Sequence, residues 1–261
     1  MIKAAVLGSP ITHSLSPKIH RRAYEFLGLL GSYQAIEVRE DELLSFFKVE
    51  RELGWSGFSL TMPLKEAIIK LDCEISQIAK RCNSGNTLYL REREWQVTST
   101  DYLAFQNLIE LKSDAKIAVI GGGGTARAAI GALNKKVNQV DVFLRNPDRA
   151  RALSAAAPDL QLNFLEMSGQ LGGYDLIVQT TPAGAIDGLI EKELEVSGKL
   201  LECLYNPWPT KLAGLYLGAG LDVISGGELL VEQAIFQIEL FAQVKVDFDA
   251  IRPVLLSEIT S

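Results

Sequence analysis

Short apolar runs alternate with amphipathic segments along the 261-residue chain. Lys3–Gly8, Tyr33–Val38 and Gly57–Thr61 have the length and composition of strands, and between them lie helix-period stretches, one starting at Ser16 and one near Asp41–Leu53. Pro63–Leu71 and Glu74–Cys82 read as two more helices, followed by strands near Asn86–Leu90 and Trp95–Val97 and a helix over Thr100–Leu111. A second series starts at Lys116–Ile120 and continues through Val140–Leu144, Leu160–Phe164, Leu176–Thr180, Lys199–Leu204 and Leu221–Ile224, each run followed by a turn or helix. Gly227–Phe241 and Phe248–Ile259 close the chain as helices, placed to pack back on the first series. Strands alternating with helices predict an α/β architecture with largely parallel sheets.

The junction at mid-chain carries the first recognisable chemistry. Lys116–Ile120 runs into Gly121–Gly124 and then the Ala-rich Thr125–Leu133, which reads as strand, tight turn and helix, the first half of a βαβ unit. Glycines let a backbone approach a pyrophosphate, and the N–H groups and dipole of a helix N-terminus attract its charge. Gly121, Gly123 and Gly124 fit a G-x-G-G variant, with Thr125 following and Ala126 as the small residue at the sixth position. A dinucleotide is therefore the expected ligand, although a plain turn would also use glycine.

The next strand bears on which dinucleotide. An NAD site places an acid at the carboxyl end of that strand, about 20 residues after the first glycine. Asp141 satisfies the count but opens the strand instead of closing it. Arg145 and Arg149 follow the strand and can meet a 2′-phosphate, which favours NADP; Arg149 also reads as a solvated residue of the next helix.

Net charge of -6 and the lack of a dense Lys/Arg run argue against a nucleic-acid surface, which leaves a small molecule as the expected partner. No secretory leader and no bilayer-length apolar run is visible. Cys73, Cys82 and Cys203 are odd in number and lack C-x-x-C spacing, and only His13 and His20 could join them as strong ligands, so a metal-free protein of the reducing cytoplasm is expected.

Several stretches together resemble the shikimate dehydrogenase family. Gly8–Pro17 is similar to its first loop, Ser59–Lys65 to its catalytic segment, and Gly85–Thr87 with Ser99–Asp101 to its two substrate-side motifs; Tyr205–Pro207 and Gly226–Gln233 match later ones. The resemblance runs in the family's order over almost the whole chain. It implies two domains, an N-terminal mainly parallel α/β substrate domain and a Rossmann-like nucleotide domain: residues 1–101 completed by helices in 227–261, and residues 102–226 binding NADP. It also implies NADP-linked interconversion of 3-dehydroshikimate and shikimate, a reaction of aromatic amino acid biosynthesis, in a monomer or homodimer with no membrane association.

Reducing a ketone needs hydride at carbon and a proton at oxygen, and Lys65 and Asp101 match the family's catalytic pair. Taken singly, Lys65 reads as a solvated lysine near a helix start and Asp101 as an N-cap or first-turn acid. Ser14 and Ser16 match the hydroxyls for the substrate carboxylate, and Ser16 before Pro17 also looks like an N-cap with an N1 proline. Thr61, Asn86 and Gln233 would serve the ring hydroxyls, while Gln233 reads otherwise as a solvent-facing helix residue. Tyr205 is a candidate contact near the carboxylate or nicotinamide, or an aromatic packed on a turn. Thr181, Gly184 and Gly226 correspond to segments by the cofactor, and the loop of the first two is otherwise a strand-ending turn.

The chain departs from the family pattern at several places. Ser59, a substrate-binding candidate, stands where Asn is most frequent, which shortens the side chain. Tyr102 replaces Gly after Asp101, so it either crowds the pocket or faces the core of the linking helix. Ser99 replaces Asn, and Leu144 and Asn146 replace the Asn and Thr that flank the matched Arg145. A relative acting on quinate or an aminated shikimate, or a non-catalytic NADP(H)-binding sensor, are the alternative readings.

Overall fold

The computed structural model describes residues 1–167, 171–190 and 195–259. The chain divides into two compact units, Met1–Ala104 with Leu230–Ser261, and Phe105–Leu229. In chain order the first unit contains β1 (Ile2–Gly8), α1 (Ser16–Phe26), β2 (Gly31–Glu37), α2 (Leu43–Glu50), β3 (Gly57–Leu60), α3 (Leu64–Ala67), β4 (Glu74–Ile75), α4 (Gln77–Cys82), β5 (Thr87–Arg91) and β6 (Glu94–Thr98). Helix α5 (Thr100–Leu108) leads out of it.

The second unit continues with β7 (Ile117–Ile120), α6 (Gly124–Leu133), β8 (Gln139–Leu144), α7 (Ala150–Ala156), β9 (Gln161–Glu166), β10 (Leu176–Gln179), α8 (Asp187–Ile190), β11 (Lys199–Glu202), α9 (Lys211–Gly218) and β12 (Val223–Ile224). Helix α10 (Gly226–Ala242) then returns the chain to the first unit, where α11 (Phe248–Ile259) ends it.

The first sheet has the order β2-β1-β3-β5-β6-β4. Its strands share one direction apart from β5, which runs antiparallel to both β3 and β6. Side chains alternate across the sheet: Ala4 and Val6 of β1 join one core with Ile19, Tyr24, Tyr33 and, from the last two helices, Val231, Ile235, Ile238, Ile251 and Leu255. Ala5 and Leu7 face the other way, into a core with Phe47, Phe58, Leu64, Ile68 and Val97. Arg252 of α11 donates to the fully buried Glu232 of α10 at 2.8 Å, which ties the two closing helices together.

The second sheet has the order β12-β11-β10-β7-β8-β9, with every neighbouring pair parallel. Numbered within the unit from β7, this is the doubly wound dinucleotide-binding order, whose direction of winding reverses between β7 and β10. Both strands are buried throughout, as parallel strands covered on two faces must be. No described helix is long and apolar enough to cross a membrane.

Some predicted elements change on folding. The expected helix Glu74–Cys82 starts only at Gln77, because Ser76 caps it by accepting from the Ala79 N–H at 3.2 Å. Glu74 and Ile75 are thereby released to pair with Gln96 and Val97. Pro63–Leu71 is an α-helix only over α3 and then tightens into a 3-10 turn at Ile68–Lys70. Asp41–Leu53 likewise opens with a 3-10 turn, Glu40–Glu42, and α2 stops at Glu50; the linking helix α5 stops at Leu108 instead of Leu111.

His20 of α1 is fully buried, stacked on Tyr33 at 3.9 Å and hydrogen-bonded through Nε2 to Gln237 at 3.2 Å. Burial pushes its pKa down to about 3, against a weaker opposing effect of the Gln237 bond, so the folded ring is neutral. The unfolded chain takes up a proton near the ordinary histidine pKa; stability is therefore full above that value and is lost as pH falls from it toward 3. Urea unfolding between pH 7 and 4.5 should show the protein losing about 3 kcal/mol more than a His20→Phe variant, at roughly 1.36 kcal/mol per pH unit. Equal losses would show that His20 does not titrate on unfolding.

Candidate active site and nucleotide loop

In the first unit, the polar side chains collect where β3, β5 and the starts of α3 and α5 meet α10. Lys65 lies in the first turn of α3, and Asp101 in the first turn of α5. The N-cap of α5 is Ser99, whose hydroxyl accepts from the Tyr102 N–H at 3.3 Å, which leaves the Asp101 carboxylate to other partners. Its Oδ2 receives Lys65 Nζ at 2.7 Å, with the two side chains 10% and 22% exposed. Its Oδ1 receives the Asn86 amide at 2.9 Å.

Asn86 is the hub of this group. Its Oδ1 accepts from the Thr100 N–H at 2.7 Å, and its Nδ2 is shared among Thr100 Oγ1, Asp101 Oδ1 and Gln233 Oε1 at 2.9 to 3.1 Å. Gln233 is buried and anchored, so its reading as a solvent-facing residue does not hold. Lys65, Asp101, Asn86 and Gln233 thus form one hydrogen-bonded group from four separate segments.

Of the remaining substrate candidates, Ser14, Ser16, Ser59 and Thr61 belong to the same unit, and Tyr205 belongs to the second. Ser14 Oγ accepts from the Ser16 N–H at 3.3 Å. Ser16 is buried and is the first helical residue, with Leu15 in the capping position and no side-chain cap, so the N-cap reading of Ser16 does not hold. The Tyr33 hydroxyl bonds the side chains of both Ser16 and Ser59, and burial raises its pKa far above the usual phenol value. Ser59 Oγ in turn donates to Gln237 at 2.8 Å. Thr61 is half-buried just past β3, its N–H on the Leu7 carbonyl and its carbonyl receiving the Leu64 N–H. Tyr102 is buried beside Arg81, which donates to its hydroxyl at 3.3 Å and lies 5.7 Å from its ring.

In the second unit, Gly121, Gly123, Gly124, Thr125 and Ala126 join β7 to α6 at the point where the sheet's winding reverses. Gly121 has φ +119, and a Cβ there would collide with Thr180 Oγ1, which itself donates to the Ile120 carbonyl at 2.7 Å. Gly123 caps the ten-residue α6, and a Cβ on it would meet open space. Thr181 sits over Gly121, and its buried Oγ1 has no hydrogen-bond partner within the protein.

Arg145 follows β8 directly, and Arg149 lays its methylenes against Gly122 of the loop, about where a Cβ would be 3.0 Å from its own. Asn146 caps the short turn between them, accepting from the Asp148 N–H at 2.9 Å. Asp141 lies in the first half of β8, where its carboxylate accepts from Asn163 and from the Tyr174 hydroxyl at 2.9 and 2.8 Å. It is committed there, away from the carboxyl end of the strand.

Tyr205 is half-buried in the loop after β11. The fully buried Glu202 braces that loop by accepting from the Leu204 N–H at 3.1 Å and the Thr210 hydroxyl at 2.8 Å, and burial pushes its pKa up. Gly184 has φ +78 and is exposed. Gly226 starts α10 against the Leu204 carbonyl, too close for any side chain. Thr87 and Thr100 lie inside the two substrate-side motifs without having been singled out there, and Tyr33 and Gln237 lie outside every matched role; the four-residue spacing of Gln237 from Gln233 is the sequence signal for the latter.

The family model for the shikimate dehydrogenase substrate binding domain matches residues 6–88. A relative from an Exiguobacterium species, shikimate dehydrogenase (NADP(+)), is 30% identical over 248 residues, covering 93% of this chain and 94% of that protein. The crystal structure of Mycobacterium tuberculosis shikimate dehydrogenase superposes with a TM-score of 0.87 at 33% identity, over 98% of this chain and all of that one. That of the Thermus thermophilus shikimate 5-dehydrogenase, in complex with NADP(H) and shikimate, gives a TM-score of 0.81 at 29% identity over 99% of this chain and all of that one. With this similarity over nearly the full length of both chains, the chain belongs to the shikimate dehydrogenase family of oxidoreductases.

Proposed function

We propose that this chain reduces 3-dehydroshikimate to shikimate with NADPH, using Lys65 and Asp101 as its proton-transfer pair. The observation that carries this is the 2.7 Å contact of Lys65 with Asp101 inside the buried Asn86 group. Desolvating two charges costs more than their attraction in a protein commonly returns, so such a pair is poorly explained by stability. It is well explained by a need to hold an ammonium in one place with its proton ready.

The Lys65 ammonium carries three protons, and Asp101 accepts one hydrogen bond from it. Lys65 gives a proton to the ketone oxygen as that oxygen gains negative charge, and leaves as the neutral amine; solvent returns the proton afterwards. Asp101 keeps the side chain oriented until that moment. Asn86 and Gln233, with Thr61, would orient the ring hydroxyls, and Ser14 and Ser16 the carboxylate.

The residues of the second unit fit NADP. The Gly121 loop and the α6 N-terminus suit the pyrophosphate, the partnerless Thr181 hydroxyl and Gly226 at the start of α10 suit the remaining polar atoms, and Arg145 and Arg149 suit a 2′-phosphate. Bound NADPH supplies the hydride. Asp141, engaged by Tyr174 and Asn163, is not placed to select NAD.

The activity is tested by following reduced-nicotinamide absorbance with shikimate and with quinate, each offered NADP and NAD. Reduction of NADP by shikimate is the expected result; turnover of quinate alone, or none at all, would sink the reading. Lys65→Ala should lower kcat by about a hundredfold or more while changing the substrate KM far less, and a kcat within a few-fold of the parent would remove Lys65 from the role of acid. Arg145→Ala should raise the KM for NADPH by about tenfold, the size of one charge-assisted hydrogen bond, and leave that for NADH unchanged. An equal rise for both cofactors would place Arg145 away from the 2′-phosphate.

A further inference from the structure

Gln237 lies one turn beyond Gln233 on α10, is fully buried, and has all of its hydrogen-bonding capacity used. Its Nε2 is 3.3 Å from the Asn86 carbonyl and 3.0 Å from Thr87 Oγ1, while its Oε1 is 2.8 Å from Ser59 Oγ and 3.2 Å from His20 Nε2. The Asn86 carbonyl can only accept, so the amide nitrogen must face it. The oxygen therefore faces Ser59 and His20, and both of these must donate.

That fixes the direction of every neighbouring bond. His20 carries its proton on Nε2, and its Nδ1, which has no partner, is the bare lone pair. Ser59 spends its proton on Gln237 and so accepts from the Tyr33 hydroxyl. Thr87 Oγ1 accepts from Gln237 and turns its own proton toward Asn86 Oδ1 or Thr100 Oγ1, at 3.3 and 3.0 Å. With Asn86 Oδ1 thus held among donors, its Nδ2 is left pointing at Asp101.

We infer that Gln237 is a positioning residue for the reaction, which through Thr87 and the Asn86 carbonyl sets the orientation of the Asn86 carboxamide and, with it, the Asp101 carboxylate that holds Lys65. The inference rests on the proton-transfer role proposed above for Lys65 and Asp101. It also gives Ser59 a different use from substrate contact: its one proton anchors the Gln237 amide. A short Ser on β3 and a long Gln on α10 together span the gap between strand and helix.

The test compares steady-state kinetics of the parent protein, Gln237→Leu, Thr87→Val and the double variant Gln237→Ala with Ser59→Asn. Gln237→Leu should lower kcat about tenfold or more, the cost of a small misplacement of a reacting group, with the KM for NADPH unchanged. Thr87→Val breaks the same link at constant side-chain volume and should give the same split, and it decides the matter if Gln237→Leu does not fold. The double variant returns an amide from the strand side into the space that Gln237→Ala vacates, and should recover most of kcat; a residue that only supports the fold would show no such rescue in kcat among variants of equal thermal stability. An active parent with unchanged kcat in Gln237→Leu or in folded Thr87→Val overturns the role of Gln237 and leaves the activity standing. A parent inactive on shikimate overturns both.

Discussion

The Asn86 carboxamide is the constraint on which the first unit's chemistry depends. One side-chain amide just ahead of β5 receives the amide N–H that opens α5 and shares its own two protons among Asp101, Thr100 and Gln233. A carboxamide turned end for end would present its oxygen to the Asp101 carboxylate and to the Gln233 oxygen, so the arrangement has one low-energy orientation. The start of α5, the inner face of α10 and the strand end at β5 are located by the same few bonds.

The single reversed strand is what makes this possible. Because β5 runs against β3 and β6, its first residue Thr87 and Asn86 just before it come to the sheet end where β3 delivers Ser59 and Leu60, with Lys65 a few residues later. Had β5 been parallel, that end of it would carry Arg91. In the second unit, by contrast, unbroken parallel order brings the ends of β7 and β10 together, and the Gly121 loop and the Thr180–Thr181 corner meet there. Two α/β sheets of equal strand number thus offer different chemistry at their rims, set by strand direction.

The buried polar side chains come at a cost that their hydrogen bonding offsets only if it is complete. Gln237 meets that condition with four bonds, whereas His20 leaves Nδ1 unpaired and answers by staying neutral. Among the described residues of the second unit, the Thr181 hydroxyl is the comparable unpaired atom, and it lies beside the glycine loop, where a bound ligand would supply the missing partner.

Order of elements, the two-part layout and the glycine loop were legible in the sequence because they rest on local features: apolar runs of strand length, helix periodicity, and glycines where φ must be positive or a backbone must come close. Lys65, Asp101 and Asn86 were legible only as members of short motifs, since nothing in the spacing of residues 65, 86 and 101 implies contact. What the tertiary structure alone decided was the direction of β5, the short pairing of Glu74–Ile75, the burial of Gln233, and the chain of bonds from Ser16 through Tyr33, Ser59 and Gln237 to Asn86. Ser59 and Gln237 are 178 residues apart in the chain. Their meeting is set by how α10 packs on the sheet, and side-chain hydrogen bonds at that separation follow from packing geometry, which leaves no periodic trace in the residues that make them.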